Sequence, residues 1–353
     1  MKLSDPKIFV ATIAWLIILV FVGTIDQKYI GLYAAQNKYF SSIILWLWYI
    51  PLPGGMFTML ILTCNLIAFL FQKNIWNTKK MGIIIIHLGS ILLLLGGGIT
   101  YFFSFEGAMP ITTKYKISNF IYSYHDKELV IINENQYLDS LEFTNFNEKV
   151  LFVGNQITYP TIPFNIKIIN YCKNAKVTIN NDIECIEPEI EDAENNSAIN
   201  LFLQAKDTTY QNINGKYISA LGYENPRINI NNINYRIVLQ PKKTYLPFSI
   251  ELINVTEVLH PNSKIAESYT SEVNILDNNQ SRRKVIEMNI PLRYKGYTFY
   301  QAHYEEDSIT GIKTSVLAVV KNYGRLFPYI SSVIMCIGVL LQMFDRIPRL
   351  LKN

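Results

Sequence analysis

The stretch MGIIIIHLGSILLLLGGGITYFFSFEG, Met81 to Gly107, decides how the rest of the chain is read. From Met81 to Phe103 it holds no Asp, Glu, Lys or Arg, and a hydrocarbon core of about 30 Å takes roughly 17 to 25 such residues to cross. The pattern predicts a membrane-spanning helix over 81–103. His87 breaks that pattern, about 9 Å in from Met81 at 1.5 Å per residue, where a polar side chain costs free energy unless it is paired or ligated. Residues three and four apart share a helix face, which groups His87 with Ser90, Ile91, Leu94, Gly97, Gly98 and Tyr101. Small residues on such a face let another helix, or a flat ligand, come close.

The remainder of the chain supports a membrane reading. It has 353 residues, is 50% hydrophobic and only 17% charged, which is too apolar for an ordinary soluble protein of this size. Further apolar runs predict spans at 8–25, 56–72 and 327–344, four in all with 81–103. The first run lacks a small-residue cleavage pattern and is expected to be a permanent anchor. Residues 41–50, rich in Trp and Tyr and followed by Pro51 and Pro53, are expected to form an interfacial helix. Lys2, Lys7, Lys73, Lys79, Lys80, Arg346, Arg349 and Lys352 flank the spans on one side, which predicts cytoplasmic termini. The expected fold is therefore an integral membrane protein with four transmembrane α-helices. Its domains are a membrane region at 1–103, a large extracytoplasmic β-rich, sandwich-like domain at 104–326, and a C-terminal span with a short tail at 327–353.

Residues 104–326 alternate in short apolar runs broken by Asn, Asp, Gly and Pro, the pattern of strands and turns. The acidic stretch Asn181–Ser197 is expected to be an exposed loop or a poorly ordered insertion. Cys172 and Cys185 lie in this domain, where an oxidising compartment would permit a bridge, while Cys64 and Cys336 fall within spans. The net charge of +4 sits largely in the helix flanks, and no basic stripe with interleaved aromatics points to nucleic acid. The absence of Cys-x-x-Cys excludes a dithiol oxidoreductase of that kind and a c-type cytochrome.

Of the four histidines, His125 reads as a solvated residue. His260 and His303 suit structural roles at least as well as functional ones, and they are not spaced as a metal pair. His87 is different, because haem iron takes an axial imidazole and a porphyrin suits apolar walls. No other span supplies a second histidine. A haem at His87 would thus take water, a different side chain, or a histidine from a partner as its other ligand; the bland alternative is a hydrogen bond to a neighbouring helix.

The order of features resembles the ResB (CcsB) family of System II cytochrome c biogenesis proteins. The matching stretches begin with VGTIDQKYIGLYAAQNKYFSSIILWLWYIPLPGGMFTMLILTCNLIAFL and HLGSILLLLGG followed by EG. They continue with EVLHPNSKIAESYTSEVNI, IEMNIPLRYKGYTFYQAHYEED and VVKNYGRLFPYISSVIMCIGVLLQMF. The resemblance implies that His87 ligates haem b transiently in the membrane, with the second axial ligand from a tryptophan-rich CcsA/ResC-type partner. It further implies haem transport across the inner (cytoplasmic) membrane and support for attachment to the Cys-x-x-Cys-His thiols of apocytochrome c. In that family the ligation chemistry lies mainly on the partner, so this chain is expected to be an accessory subunit of a haem lyase without catalytic residues of its own. The chain holds no tryptophan-rich segment, which implies an unfused subunit. The alternative reading is a membrane-anchored β-domain receptor or scaffold without haem.

Overall fold

The computed structural model describes residues 3–72, 75–134, 142–178, 182–190, 194–263, 265–278 and 280–350. Of the charged flanks used above to orient the chain, Lys2, Lys73 and Lys352 lie outside the described residues. The chain forms two compact units, residues 1–105 with 321–353, and residues 106–320.

In the first unit, α1 (Pro6–Ile30) starts where the Asp5 side chain accepts a hydrogen bond from the Lys7 amide, with Pro6 in the first turn where its missing N–H costs nothing. A short α2 (Leu32–Ala35) leads into a π turn at Gln36–Phe40. Then follow α3 (Gly55–Leu70), α4 (Met81–Phe103) and α5 (Phe327–Leu350). Three of these, α1, α4 and the Phe327–Phe344 part of α5, are long and apolar enough to cross a bilayer. α3 is apolar but has 16 residues, about 24 Å of helix against a core of about 30 Å, so the span expected at 56–72 is shorter than a full crossing.

The interfacial helix expected at 41–50 is replaced by a hairpin. β1 (Ile44–Leu47) and β2 (Ile50–Pro53) pair antiparallel around Trp48 and Tyr49, with Trp48 at φ 58°. Two prolines two residues apart cannot continue a helix, whereas alternate strand positions accept them. Leu45 turns inward into a cluster with Leu19, Ala35 and Tyr39, while Trp46 stays exposed.

α4 and α5 meet along Gly82, Gly89 and Gly96, spaced by one heptad. A Cβ at Gly82 would stand 2.7 Å from the Gly338 carbonyl oxygen, one at Gly89 2.6 Å from Met335 Cγ, and one at Gly96 would run into Phe327. Between apolar helices in lipid there is no hydrophobic drive to associate, so close backbone approach supplies the packing energy.

The second unit is β-rich, as expected. Its strands in order are β3 (Phe105–Thr112), β4 (Ile117–Glu134), β5 (Glu142–Asn147), β6 (Gln156–Ile157), β7 (Phe164–Cys172), β8 (Ala175–Val177), β9 (Ile183–Cys185), β10 (Ala198–Ala205) and β11 (Gly215–Ala220). They continue with β12 (Arg227–Ile230), β13 (Ile233–Leu259), β14 (Ala266–Asp277), β15 (Gln280–Glu287), β16 (Leu292–Tyr294), β17 (Tyr297–Glu306) and β18 (Lys313–Lys321). The main sheet runs β15-β14-β13-β4-β3-β18-β17-β16, with β12 on β13 and β5 on β4; a second sheet runs β11-β10-β7-β6.

β13 is 27 residues long, and its pairing with β4 breaks register between Pro241 and Lys243 and again between Tyr245 and Ile250. Those breaks divide the long strands into two working halves. One half packs Leu129, Ile131, Ile237 and Leu239 against Phe164, Ile166, Ile168, Ile199, Leu201 and Leu203 of the second sheet. Period-two patterning explains the choice, since on β7 Phe164, Ile166 and Ile168 point inward while Lys167 between them is exposed. The other half belongs to the β14–β18 side, where Ile250, Val273, Phe299, Leu317 and Val319 are fully or nearly fully buried.

Cys172 and Cys185 are bonded, with 5.3 Å between their Cα atoms. The bridge ties β9 to the end of β7, so part of the acidic stretch expected as a loose loop is anchored. Asn174 reinforces this by donating to the Glu187 carbonyl at 3.0 Å. Asn181 and residues 191–193 of that stretch lie outside the described residues.

Candidate functional site

His87 sits half-buried near the start of α4. Its Nδ1 lies 2.8 Å from the Ile83 carbonyl oxygen, one turn earlier on the same helix. A carbonyl only accepts, so Nδ1 carries a proton, and in the neutral ring Nε2 then holds the lone pair. Metal-ligating histidines characteristically hold the other ring N–H on a backbone carbonyl or carboxylate, which fixes tautomer and ring orientation. Among the described residues Nε2 has no hydrogen-bond partner. The ring is further held by Phe69, the penultimate residue of α3, stacked at 4.0 Å between centroids and 15° between planes.

The small residues expected to line the His87 face divide between two roles. Ser90 donates to the Ile86 carbonyl at 2.9 Å and reaches toward Met335 on α5 at 3.5 Å. Gly97 and Gly98 have nothing within 4 Å of where a Cβ would stand. Gly98 follows His87 by eleven residues, three helical turns, and therefore lies nearly above it. The closely packed glycines are instead Gly82, Gly89 and Gly96, a heptad that the sequence already contained. The face carrying His87, Ile91, Leu94 and Gly98 is thus directed away from the α5 seam, with an oriented imidazole low on it and open space higher up. One imidazole nitrogen on a mostly apolar helix face suits a flat iron macrocycle. Among the described residues no cluster of three or more His, Cys, Asp or Glu could hold a bare metal ion.

The other three histidines belong to the second unit, each in its own setting. His260 is exposed at the β13–β14 turn, where its amide donates to the Ile265 carbonyl at 2.9 Å. His303 is exposed on β17 and meets Tyr269 edge-on at 6.3 Å; beside it Tyr304 donates to Glu306 at 2.6 Å, and burial with that carboxylate pushes its hydroxyl up to about 12.

His125 lines a small polar cavity with Lys127, Glu148, Tyr171, Asn195 and Ser197, about 20 Å³ and so the size of one water. There the Tyr171 hydroxyl donates to Glu148 at 2.8 Å, and burial together with that carboxylate holds its pKa well above the usual phenol range. Glu148 also accepts from the Lys127 amide at 2.9 Å. Sequence reasoning missed this cluster because its members come from four separated stretches without a shared motif.

It also missed a polar link within the core. Ser271 on β14 and Ser315 on β18, both fully buried, are hydrogen-bonded at 2.7 Å, and Gln301 on β17 donates to Ser315 at 3.3 Å and to the His303 carbonyl at 3.0 Å.

These features define a class first, a membrane-anchored protein with a large β-rich domain and one oriented histidine in an apolar helix. Comparison with known proteins narrows the class: residues 226–315, from the start of β12 into β18, match the ResB-like family. Two of the resembling stretches, those holding His260 and His303, and the Ser271–Gln301–Ser315 link fall inside the match; His87 lies outside it. The chain is also similar to Protein NrfI of Wolinella succinogenes, 22% identical over 313 residues. That alignment covers 86% of this chain but 31% of NrfI, so the chain spans about a third of the length of the relative it matches.

Proposed function

We propose that this chain is a haem-handling subunit of the cytochrome c biogenesis apparatus, working with a CcsA/ResC-type membrane partner to move haem outward and support its attachment to Cys-x-x-Cys-His of apocytochrome c. The family match supports the general role. The observation that carries the haem reading is the His87 ring, locked by Ile83 and Phe69 with Nε2 left to bind. His87 Nε2 would hold the haem iron, and haem, when bound, would supply a metal that accepts that nitrogen's lone pair.

On this reading Ile83 sets the tautomer, Phe69 holds the ring plane, and Gly98 leaves room above. A histidine of the partner provides the second ligand, since the apolar spans expected from the sequence hold no histidine besides His87. α3 crosses as a fourth, short span, and both termini are cytoplasmic. The Cys172–Cys185 bridge supports an oxidising, extracytoplasmic location for the β-rich unit.

The test is to purify the chain together with its partner and record the haem absorption spectrum for wild type and His87→Ala. Loss of the low-spin haem bands in His87→Ala, with the partner still co-purified, is expected. An unchanged spectrum sinks the ligand assignment and favours the scaffold reading, for which the Phe69 stacking would be packing alone.

A further inference from the structure

We propose that the outer edge of β1 is a docking edge for an uncharged, extended segment of a second membrane-embedded chain, which joins the hairpin as a third strand. The ladder alternates in a fixed way. The Gly54 amide donates to the Ile43 carbonyl at 2.9 Å, and the register Ile44↔Pro53, Leu45↔Leu52, Trp46↔Pro51, Leu47↔Ile50 closes on a two-residue turn. The hydrogen-bonded pairs are therefore 43/54, 45/52 and 47/50. Pro51 and Pro53, which have no N–H, occupy the non-bonded positions of β2, and the Pro53 carbonyl accepts from Trp15 Nε1 at 2.8 Å. That closes most of the β2 edge.

The β1 edge is different. The N–H and C=O of Ile44 and Trp46 point away from β2, and among the described residues no strand pairs with them. The hairpin is pinned to the interior of α1, because Trp15 lies about 14 Å from the Pro6 end of a helix long enough to span. From Tyr39 to Gln72 there is no Asp, Glu, Lys or Arg, and Ile44, Trp46, Leu47, Trp48, Tyr49 and Ile50 are 51–93% exposed. Open sheet edges are not left facing hydrocarbon, where no water completes their hydrogen bonds; they are covered by protein. A helix cannot offer the matching backbone groups, since its own are used internally. An extended segment can, and its side chains would sit against Trp46 and Trp48.

The proposal rests on the existence of the membrane partner proposed above, which serves as the probe. Trp46→Pro and Ile44→Pro each delete an edge N–H without removing a bond of the ladder, and Trp46→Phe keeps the edge. Tagged chain and partner are co-expressed and recovered in bilayer discs. At least tenfold less partner is expected with either proline variant, and wild-type recovery with Trp46→Phe. Undiminished recovery with both proline variants overturns the docking edge while leaving the partner intact; no recovery even with wild type removes the partner and the proposal together. Amide exchange in the wild-type chain guards against misfolded variants. Ile44 and Trp46 amides should exchange at least tenfold more slowly in the complex than in the chain alone. Equal rates, with the hairpin resting at lipid headgroups in both, overturn it as well.

Discussion

The membrane unit and the β-rich unit are built from similar apolar residues but cohere for different reasons. In the β-rich unit Phe164, Ile166, Ile199 and Leu201 are removed from solvent altogether, and water drives that burial. In the membrane unit Phe21, Leu60, Leu95 and Val333 stay exposed, and α4 and α5 hold together where glycines bring the backbones into contact. Adding one carbon should therefore harm one unit, and deleting several should harm the other.

The largest expected effect is on the β side. Phe164→Ala empties a fully buried site whose ring meets Tyr235 edge-on at 5.7 Å, and should lower the stability of that unit by about 3–5 kcal/mol. Denaturant unfolding followed by tyrosine fluorescence measures it, and cysteine cross-linking between α4 and α5 should be unchanged. Next comes Gly89→Ala, whose added Cβ would stand 2.6 Å from Met335 Cγ and 3.1 Å from the Ser331 carbonyl oxygen and should cost about 1–3 kcal/mol of helix association. The same cross-linking should fall while the β unit unfolds as wild type.

The smallest effect is electrostatic. Lys295 and the Tyr294 hydroxyl, at 2.6 Å and 2.5 Å, hold the Asp277 carboxyl below its usual range. A depressed carboxylate adds stability above its unfolded pKa of about 3.9 and loses it as pH falls further, through the lower folded value. Asp277→Asn should flatten the unfolding midpoint below about pH 4 relative to wild type, and salt should shrink the difference even at neutral pH because Lys295 is solvent-exposed.

Long apolar runs made α1, α4 and α5 legible in the sequence, since crossing lipid constrains every residue of a span. The alternation around Phe164–Ile168 made the β-rich unit legible for a similar reason. The hairpin at 44–53 was not, because an aromatic run ending in Pro-Leu-Pro serves a short helix or a strand equally until the register is known. The bridge between Cys172 and Cys185 was open for want of a Cα separation. His87 stood out as a polar residue in an apolar run, yet its orientation by Phe69 depends on a helix contact that no spacing rule supplies. The Ser271–Gln301–Ser315 link was invisible, since serine and glutamine on alternating strands read as surface until the sheet folds over them.

β3 opens the β-rich unit and β18 closes it, and the two are neighbours in one sheet. In the membrane unit, Thr100 near the end of α4 donates to Asn322 just before α5 at 3.0 Å. Entry and exit of the inserted domain thus lie side by side within each unit taken by itself. Two cuts, one before β3 and one after β18, would release a single polypeptide with adjoining ends, and a few residues would suffice to reseal the helices left behind.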